Sequence, residues 1–226
     1  MIELRGVTKH YRLSGDVLVR AVEGVNITIK DGEFVMIVGR SGSGKTTLLS
    51  LIGGLTKPTS GSVSVGGVDL WGLDDSAQSR FRAEKMGFVF QIPSLLPTLT
   101  VLDNVKLPSM FSKKRGDVGE RAVSLLEMVG LSEKAHAYPS QHSVGQQKRV
   151  ALARALMNEP EIVLADKPTS DLDKSTELEI MKLMESVHTE GPRTLIMVTH
   201  NLELVSYADQ VRTMSDGVLG EAVMKN

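Results

Sequence analysis

The chain has 226 residues, long for one domain and short for two independent ones, so a single α/β unit with an insertion is the expectation, with length enough to bury a full core. Lys and Arg number 26 against 27 Asp and Glu, a net charge of -1 with no long basic tract, so a general nucleic-acid-binding surface is not indicated. Cysteine is absent, which excludes disulfide scaffolds and thiolate metal sites and suits a reducing compartment.

The opening stretch MIELRGVTKHY lacks the ~7–15-residue apolar segment of a secretion signal. The longest apolar runs, such as FVMIV, fall far short of the ~20 residues that span a bilayer, and a cytoplasmic location is the expectation. IELRGV, VNITIK and FVMIVG read as short strands separated by turn signals such as Asp31-Gly32. After Gly44 the pattern turns helical through Leu48, Leu49, Leu51 and Ile52 and ends at Gly53-Gly54. GSVSVGG is a strand between glycine turns. MGFVF, EIVLAD and TLIMVTH are apolar without clean alternation, as strands covered on both faces of a parallel sheet are. Between MGFVFQ and EIVLAD, about seventy residues hold no comparable strand. Helical patterns fall there at Val101–Leu107, Val118–Val129 and Ser143–Met157, which predicts a helical insertion in a βα core. FSKKRGD, residues 111–117, reads as a solvated charge run at a loop.

GRSGSGKT, Gly39 to Thr46, satisfies G-x-x-x-x-G-K-[ST] and lies between the strand FVMIV and a helix. Glycines let successive N–H groups point at phosphate oxygens, and the helix adds its positive end. Gly39, Arg40, Ser41, Gly42, Ser43, Gly44, Lys45, Thr46 and Thr47 are therefore the candidate nucleotide-binding residues. Lys45 would reach the β- and γ-phosphates, and Thr46 would offer its hydroxyl to Mg²⁺. The alternative, a glycine-rich turn that binds nothing, leaves Lys45 without a purpose. Alone, the loop says only that a nucleoside triphosphate is bound.

Further stretches narrow the choice. SVGQQKRVALARAL, Ser143 to Leu156, resembles the signature helix of ABC ATPases, usually Leu-Ser-Gly-Gly-Gln followed by a basic, alanine-rich helix. IVLADKPTSDLD, Ile162 to Asp173, resembles their Walker B strand and D-loop, FVFQ their Q-loop and VTHN their switch-histidine segment. The resemblance covers nearly the whole chain. TKPTSGSV, LLPTLTVLDNV and the segment ending in RFRAEKMGFVFQ look most like the lipoprotein-release and macrolide-export subgroup.

The resemblance implies an α/β fold for residues 1–226: a P-loop NTPase core with a mixed, mainly parallel sheet, an N-terminal antiparallel β subdomain and helices inserted at about 92–158. It implies ATP and Mg²⁺ as ligands, with Asp166, Thr46 and Gln91 on the metal. His200 would contact the γ-phosphate and Tyr11 would stack on adenine. Helix-start and packing roles are their plain alternatives. Ser143, Val144, Gly145 and Gln146 would close the nucleotide site of a partner, a second copy or a related subunit, with Asp171 and Asp173 in the D-loop at that interface. An integral membrane permease would be the other partner, with the chain peripheral on the cytoplasmic face. A soluble ABC ATPase of DNA repair or translation would need coiled coils or fused cassettes, for which the chain has no room.

Three positions depart from the family. Lys167 replaces the glutamate that polarises the attacking water, and a charged ammonium cannot take up that water's proton, so slow hydrolysis is expected. A nucleotide-gated dimerisation module without turnover is the alternative. Val144 replaces the first signature glycine and would crowd the partner's triphosphate. His142 replaces the signature leucine, and an exposed polar ring is the expectation.

Overall fold

The computed structural model describes residues 1–12, 17–113, 116–191 and 193–224. These divide into two compact units, Met1–Gln78 with Thr194–Asn226, and Ser79–Arg193.

The first unit holds two sheets. In one, β1 (Ile2–Arg12) pairs antiparallel with β2 (Leu18–Ile29) and β4 (Ser60–Val65), and β5 (Val68–Asp69) adds an edge. In the other, β3 (Phe34–Val38) lies between β8 (Thr194–Thr199) and β9 (Gln210–Ser215), parallel to both, and β10 (Val218–Met224) returns antiparallel on β9. The α/β class, with an antiparallel N-terminal sheet and a mixed, mainly parallel one, is as the motifs implied. All five residues of β3 and all six of β8 are buried, which explains their uninterrupted apolar runs. α1 (Lys45–Ile52) follows the glycine loop and buries Leu48, Leu49, Leu51 and Ile52, ending at Gly53 as its pattern predicts.

In the second unit β6 (Met86–Val89) pairs parallel with β7 (Ile162–Asp166). Among the described residues between them there is no strand, only helices: α3 (Val101–Lys106), α4 (Val118–Met128) and α5 (Val144–Ala155). Their buried residues Val101, Val105, Ala122, Leu125, Leu126, Val150, Ala151 and Leu152 form the helical core. α3 stops at Lys106 and tightens into a 3-10 turn over Leu107–Phe111 because Pro108 has no N–H to continue the ladder. Of the FSKKRGD run, residues 114 and 115 lie outside the described residues.

Two further helices lie outside the elements read from the sequence. α2 (Asp75–Lys85) has Phe81 as its only large apolar residue; it starts where the Asp74 carboxylate accepts the Ala77 N–H at 2.7 Å. α6 (Lys174–Thr189) is capped by Asp173 and buries Ile180, Met181, Met184 and Val187. The early strands also run longer than their apolar cores. Polar residues at the end of β1 stay in the ladder, with Lys9 opposite Val22 and Tyr11 opposite Val19.

Candidate nucleotide-binding site

In the first unit, the phosphate loop joins β3 to α1. A Cβ at Gly39 would stand 2.2 Å from the Met214 carbonyl oxygen, and one at Gly44 only 2.0 Å from that of Ala21. Those two glycines answer to neighbouring backbone. Gly42 has open space around it and φ +79, so there the left-handed turn itself is the requirement. The Gly217 N–H donates to the Ser43 carbonyl at 3.1 Å and pins the loop to the β9–β10 hairpin. Lys45 is 3% exposed, and its ammonium donates to the carbonyls of Gly39 (2.8 Å) and Arg40 (2.7 Å) and to the Ser43 hydroxyl (3.0 Å). A buried ammonium surrounded by loop oxygens is poised to exchange them for phosphate oxygens, which a turn that binds nothing would not need. The α1 N-terminus has Gly44 as its cap residue and no side-chain cap. Arg40, Ser41 and Thr46 are exposed, with Thr47 on the first turn of α1.

The same unit carries the two aromatic candidates. Tyr11 lies near the end of β1, 36% exposed, with the Lys9 ammonium 5.0 Å from its ring centroid. His200 is exposed immediately after β8. It is not the helix cap: Asn201 is, accepting the Glu203 N–H at 3.0 Å.

In the second unit, Asp166 ends β7 with its residue 8% exposed, a buried carboxylate at the carboxyl end of a parallel strand. Lys167 follows at φ 43, a left-handed backbone uncommon outside glycine. Its carbonyl accepts the Ser170 N–H at 3.1 Å, and Pro168 and Thr169 are buried, so the root of the side chain is fixed. Its ammonium donates to Gln91 Oε1 at 3.2 Å. The residue in place of the glutamate and the Q-loop glutamine are thus bonded to each other.

That bond bears on Mg²⁺. The ion takes oxygen ligands, a chemistry that the buried Asp166 carboxylate has within the second unit. Gln91 does not fit, because its oxygen already faces a cation. A dication placed on it about 4 Å from the ammonium would meet Coulomb repulsion of about 8 kcal/mol at an effective dielectric of ~20.

Ser143 caps α5 as the sequence suggests: its Oγ accepts the Gln146 N–H at 3.3 Å and the Gln146 side chain accepts the Ser143 N–H at 3.2 Å. A Cβ at Gly145 would lie 2.6 Å from Thr176 Cγ2, so glycine there lets α5 approach α6. Val144 is 50% exposed. His142 overturns its expectation. The ring is only 7% exposed, with Nδ1 donating to the Tyr138 carbonyl at 2.9 Å. The carbonyl can only accept, so Nδ1 carries the proton, and Nε2 finds no hydrogen-bond partner among the described residues. The tight turn through Pro139–Gln141 folds the ring back onto its own backbone, which solvates one nitrogen and buries the other.

The D-loop aspartates differ from each other. Asp173 accepts from the Ser175 hydroxyl (2.5 Å) and the Thr176 hydroxyl (2.7 Å) and caps α6. Asp171 is exposed at φ 62. Sequence reasoning missed two neighbours that hold these segments. Lys148, 2% exposed, donates from α5 to the Ser170 carbonyl at 2.7 Å. Arg154 donates to the carbonyls of Ser94 (2.8 Å) and Pro93 (2.7 Å), just beyond Gln91. The only sequence signal for either was a basic residue on a basic, alanine-rich helix.

Comparison with known proteins places this arrangement. A family profile described as "ABC transporter" matches residues 22–170. The chain is 44% identical over 97% of its length to the macrolide export ATP-binding/permease protein MacB of Chlorobaculum tepidum, and spans 33% of that relative's length. It is 44% identical over 96% of its length to an ABC transporter ATP-binding protein of Methanocaldococcus jannaschii, MJ0796, and covers 94% of it. The solved dimeric, post-hydrolysis state of the MJ0796 cassette bound to ADP and Pi superposes with a TM-score of 0.92 at 42% identity, covering 99% of this chain and 98% of that one. The chain belongs to the ABC transporter family, as a nucleotide-binding domain of the macrolide-export subgroup.

Proposed function

We propose that residues 1–226 act as one ATP-binding cassette domain, with helices inserted at about 92–158, in an export or lipoprotein-release complex, and that it turns ATP over slowly. The phosphate loop carries the reading: a buried Lys45 held by three loop oxygens after a fully buried strand. ATP would bind with its phosphates on this loop and with adenine on Tyr11. Two chains would then pair head to tail, Ser143, Gly145 and Gln146 of one facing the nucleotide of the other. Dimeric MJ0796 with ADP and Pi supports the pairing, and MacB, an ATP-binding/permease protein of which this chain spans 33%, supports an integral membrane permease as partner. The chain would sit on the cytoplasmic face through that partner. Among the described residues no helix is long and apolar enough to cross a membrane.

Mg²⁺, when bound beside the phosphate loop, would neutralise phosphate charge, with the Thr46 hydroxyl as a ligand. His200, exposed and outside the cap at Asn201, would meet the γ-phosphate. Lys167 offers no base for the attacking water, and a well-placed base is worth ~10²–10⁴ in rate. A second reading follows from the same residue: a nucleotide-gated dimerisation module without turnover. Phosphate release, measured beside size-exclusion dimerisation with MgATP, separates the two. Turnover with dimerisation supports the enzyme, and a lasting dimer without phosphate supports the module. Failure of folded protein to bind ATP would remove both.

A further inference from the structure

Resting on the nucleotide reading above, we propose that Lys9 is a positioning residue for the base: its ammonium holds the Tyr11 ring and ties it to the helix that follows the phosphate loop, so that this unit grips a nucleoside triphosphate at both ends. Lys9 and Tyr11 are two residues apart on β1 and share a face of the strand. The Lys9 ammonium stands 5.0 Å from the Tyr11 ring centroid, within the range of a cation–π contact. A ring has two faces, and the cation on one leaves the other for a flat base. Tyr11 is 36% exposed near the end of its strand, where a side chain without such a contact would sample several rotamers and lose that freedom on stacking.

The ammonium is itself anchored. It donates to the Lys57 carbonyl at 2.7 Å, and the loop that carries Lys57 is tied to β1 on both sides of Lys9: the Thr59 N–H donates to the Thr8 carbonyl at 2.7 Å, and the His10 N–H donates to the Thr59 hydroxyl at 3.0 Å. That loop leaves the end of α1, where the N–H groups of Leu55 and Thr56 donate to the Ser50 carbonyl at 2.8 and 3.3 Å. The path runs from the phosphate loop through α1 and residues 55–57 to Lys9 and Tyr11, all within the first unit. A lysine serving only as surface charge keeps its ammonium in water. Lys9 is half-buried, with its ammonium on a carbonyl and a ring.

The test is calorimetric titration of the full chain with ATP and with inorganic tripolyphosphate, each with Mg²⁺. Native protein is compared with Lys9→Met, Lys9→Gln, Lys9→Arg, Tyr11→Ala and the double variant Lys9→Met/Tyr11→Ala, with folding checked by circular dichroism. Lys9→Met should bind ATP about threefold or more weakly than native protein, while holding tripolyphosphate, which has no base, as tightly as before. Lys9→Gln also lacks the charge, and it decides the matter if Lys9→Met does not fold. Lys9→Arg keeps a cation over the ring and should keep native affinity. Adding Lys9→Met to Tyr11→Ala should cost nothing further, because the ring that the lysine acts through is gone. An ATP loss below about threefold in the uncharged variants, an equal loss for both ligands, or a further loss of about threefold or more in the double variant overturns the inference. So does Lys9→Arg weakened as far as Lys9→Met. Tyr11→Ala that binds ATP as native protein does overturns it too, by taking the ring out of the site while leaving the phosphate loop in it. Native protein that takes up neither ligand removes the nucleotide reading as well, a result distinct from all of these.

Discussion

At the scale of single residues, the proposed slow turnover rests on Lys167. Its ammonium is a donor only, so restoring a carboxylate should restore a proton acceptor. Steady-state phosphate release by Lys167→Glu is expected to exceed the native rate by ~10²–10⁴. Equal rates would show that the position does not limit turnover. Gly44 answers to packing instead. At φ +99, with a Cβ 2.0 Å from the Ala21 carbonyl oxygen, Gly44→Ala must shift backbone, and chemical denaturation should show a loss of about 1–3 kcal/mol or more. His142 carries the opposite expectation. His142→Leu gives up one hydrogen bond to Tyr138 but removes a buried nitrogen without a partner, so denaturation should find it neutral or more stable by about 1 kcal/mol. The sequence marked all three positions, and got the surroundings of His142 wrong, because burial depends on how the preceding turn folds and not on residue type.

At the scale of elements, α5 ties the second unit together. Its capped N-terminus presents Ser143 and Gln146, Lys148 holds the segment after Lys167, and Arg154 holds the segment after Gln91. Burial lowers the Lys148 pKa from 10.5, partly countered by Asp171. In the window between the lowered value and 10.5 the unfolded chain binds more protons, so stability rises with pH there, and below that window the cost of the buried charge is carried in full. Urea denaturation across alkaline pH should show this slope in native protein and not in Lys148→Met. At the start of α6, bonds from the Ser175 hydroxyl and then from the Thr176 hydroxyl and N–H hold the Asp173 carboxyl well below 3.8. Its stabilisation is present above pH 3.8 and is lost as pH falls below it; Asp173→Asn should flatten that acid limb of the melting profile. α2 was illegible as a helix in advance because it lacks an apolar stripe and its start depends on a carboxylate cap, whereas α6 carries a stripe at Ile180, Met181, Met184 and Val187 that sequence reasoning missed.

At the scale of the whole molecule, each unit has its own core, and a core truncation in one reports on that unit's packing. Leu126 on α4 is fully buried, and Leu126→Ala should cost about 2–5 kcal/mol in chemical denaturation. In the proposed function the working unit at this scale is a pair of chains, with nucleotide on one loop and Ser143 and Gly145 of the other molecule across it. Dimer formation should therefore follow nucleotide occupancy and not protein concentration alone.

The sequence by itself determined the phosphate loop, the buried strands β3, β7 and β8, the limits of α1 and the capping box of α5. Each of these is written in local chemistry: apolar runs, glycines at fixed intervals, and a polar cap three residues from its partner. Only the tertiary structure decided that Lys167 bonds to Gln91, that His142 is buried, and that Lys148 and Arg154 brace loops far from them in the chain. Such contacts join residues as many as 76 positions apart, and which donor meets which acceptor at that separation is fixed by packing, not by spacing along the chain.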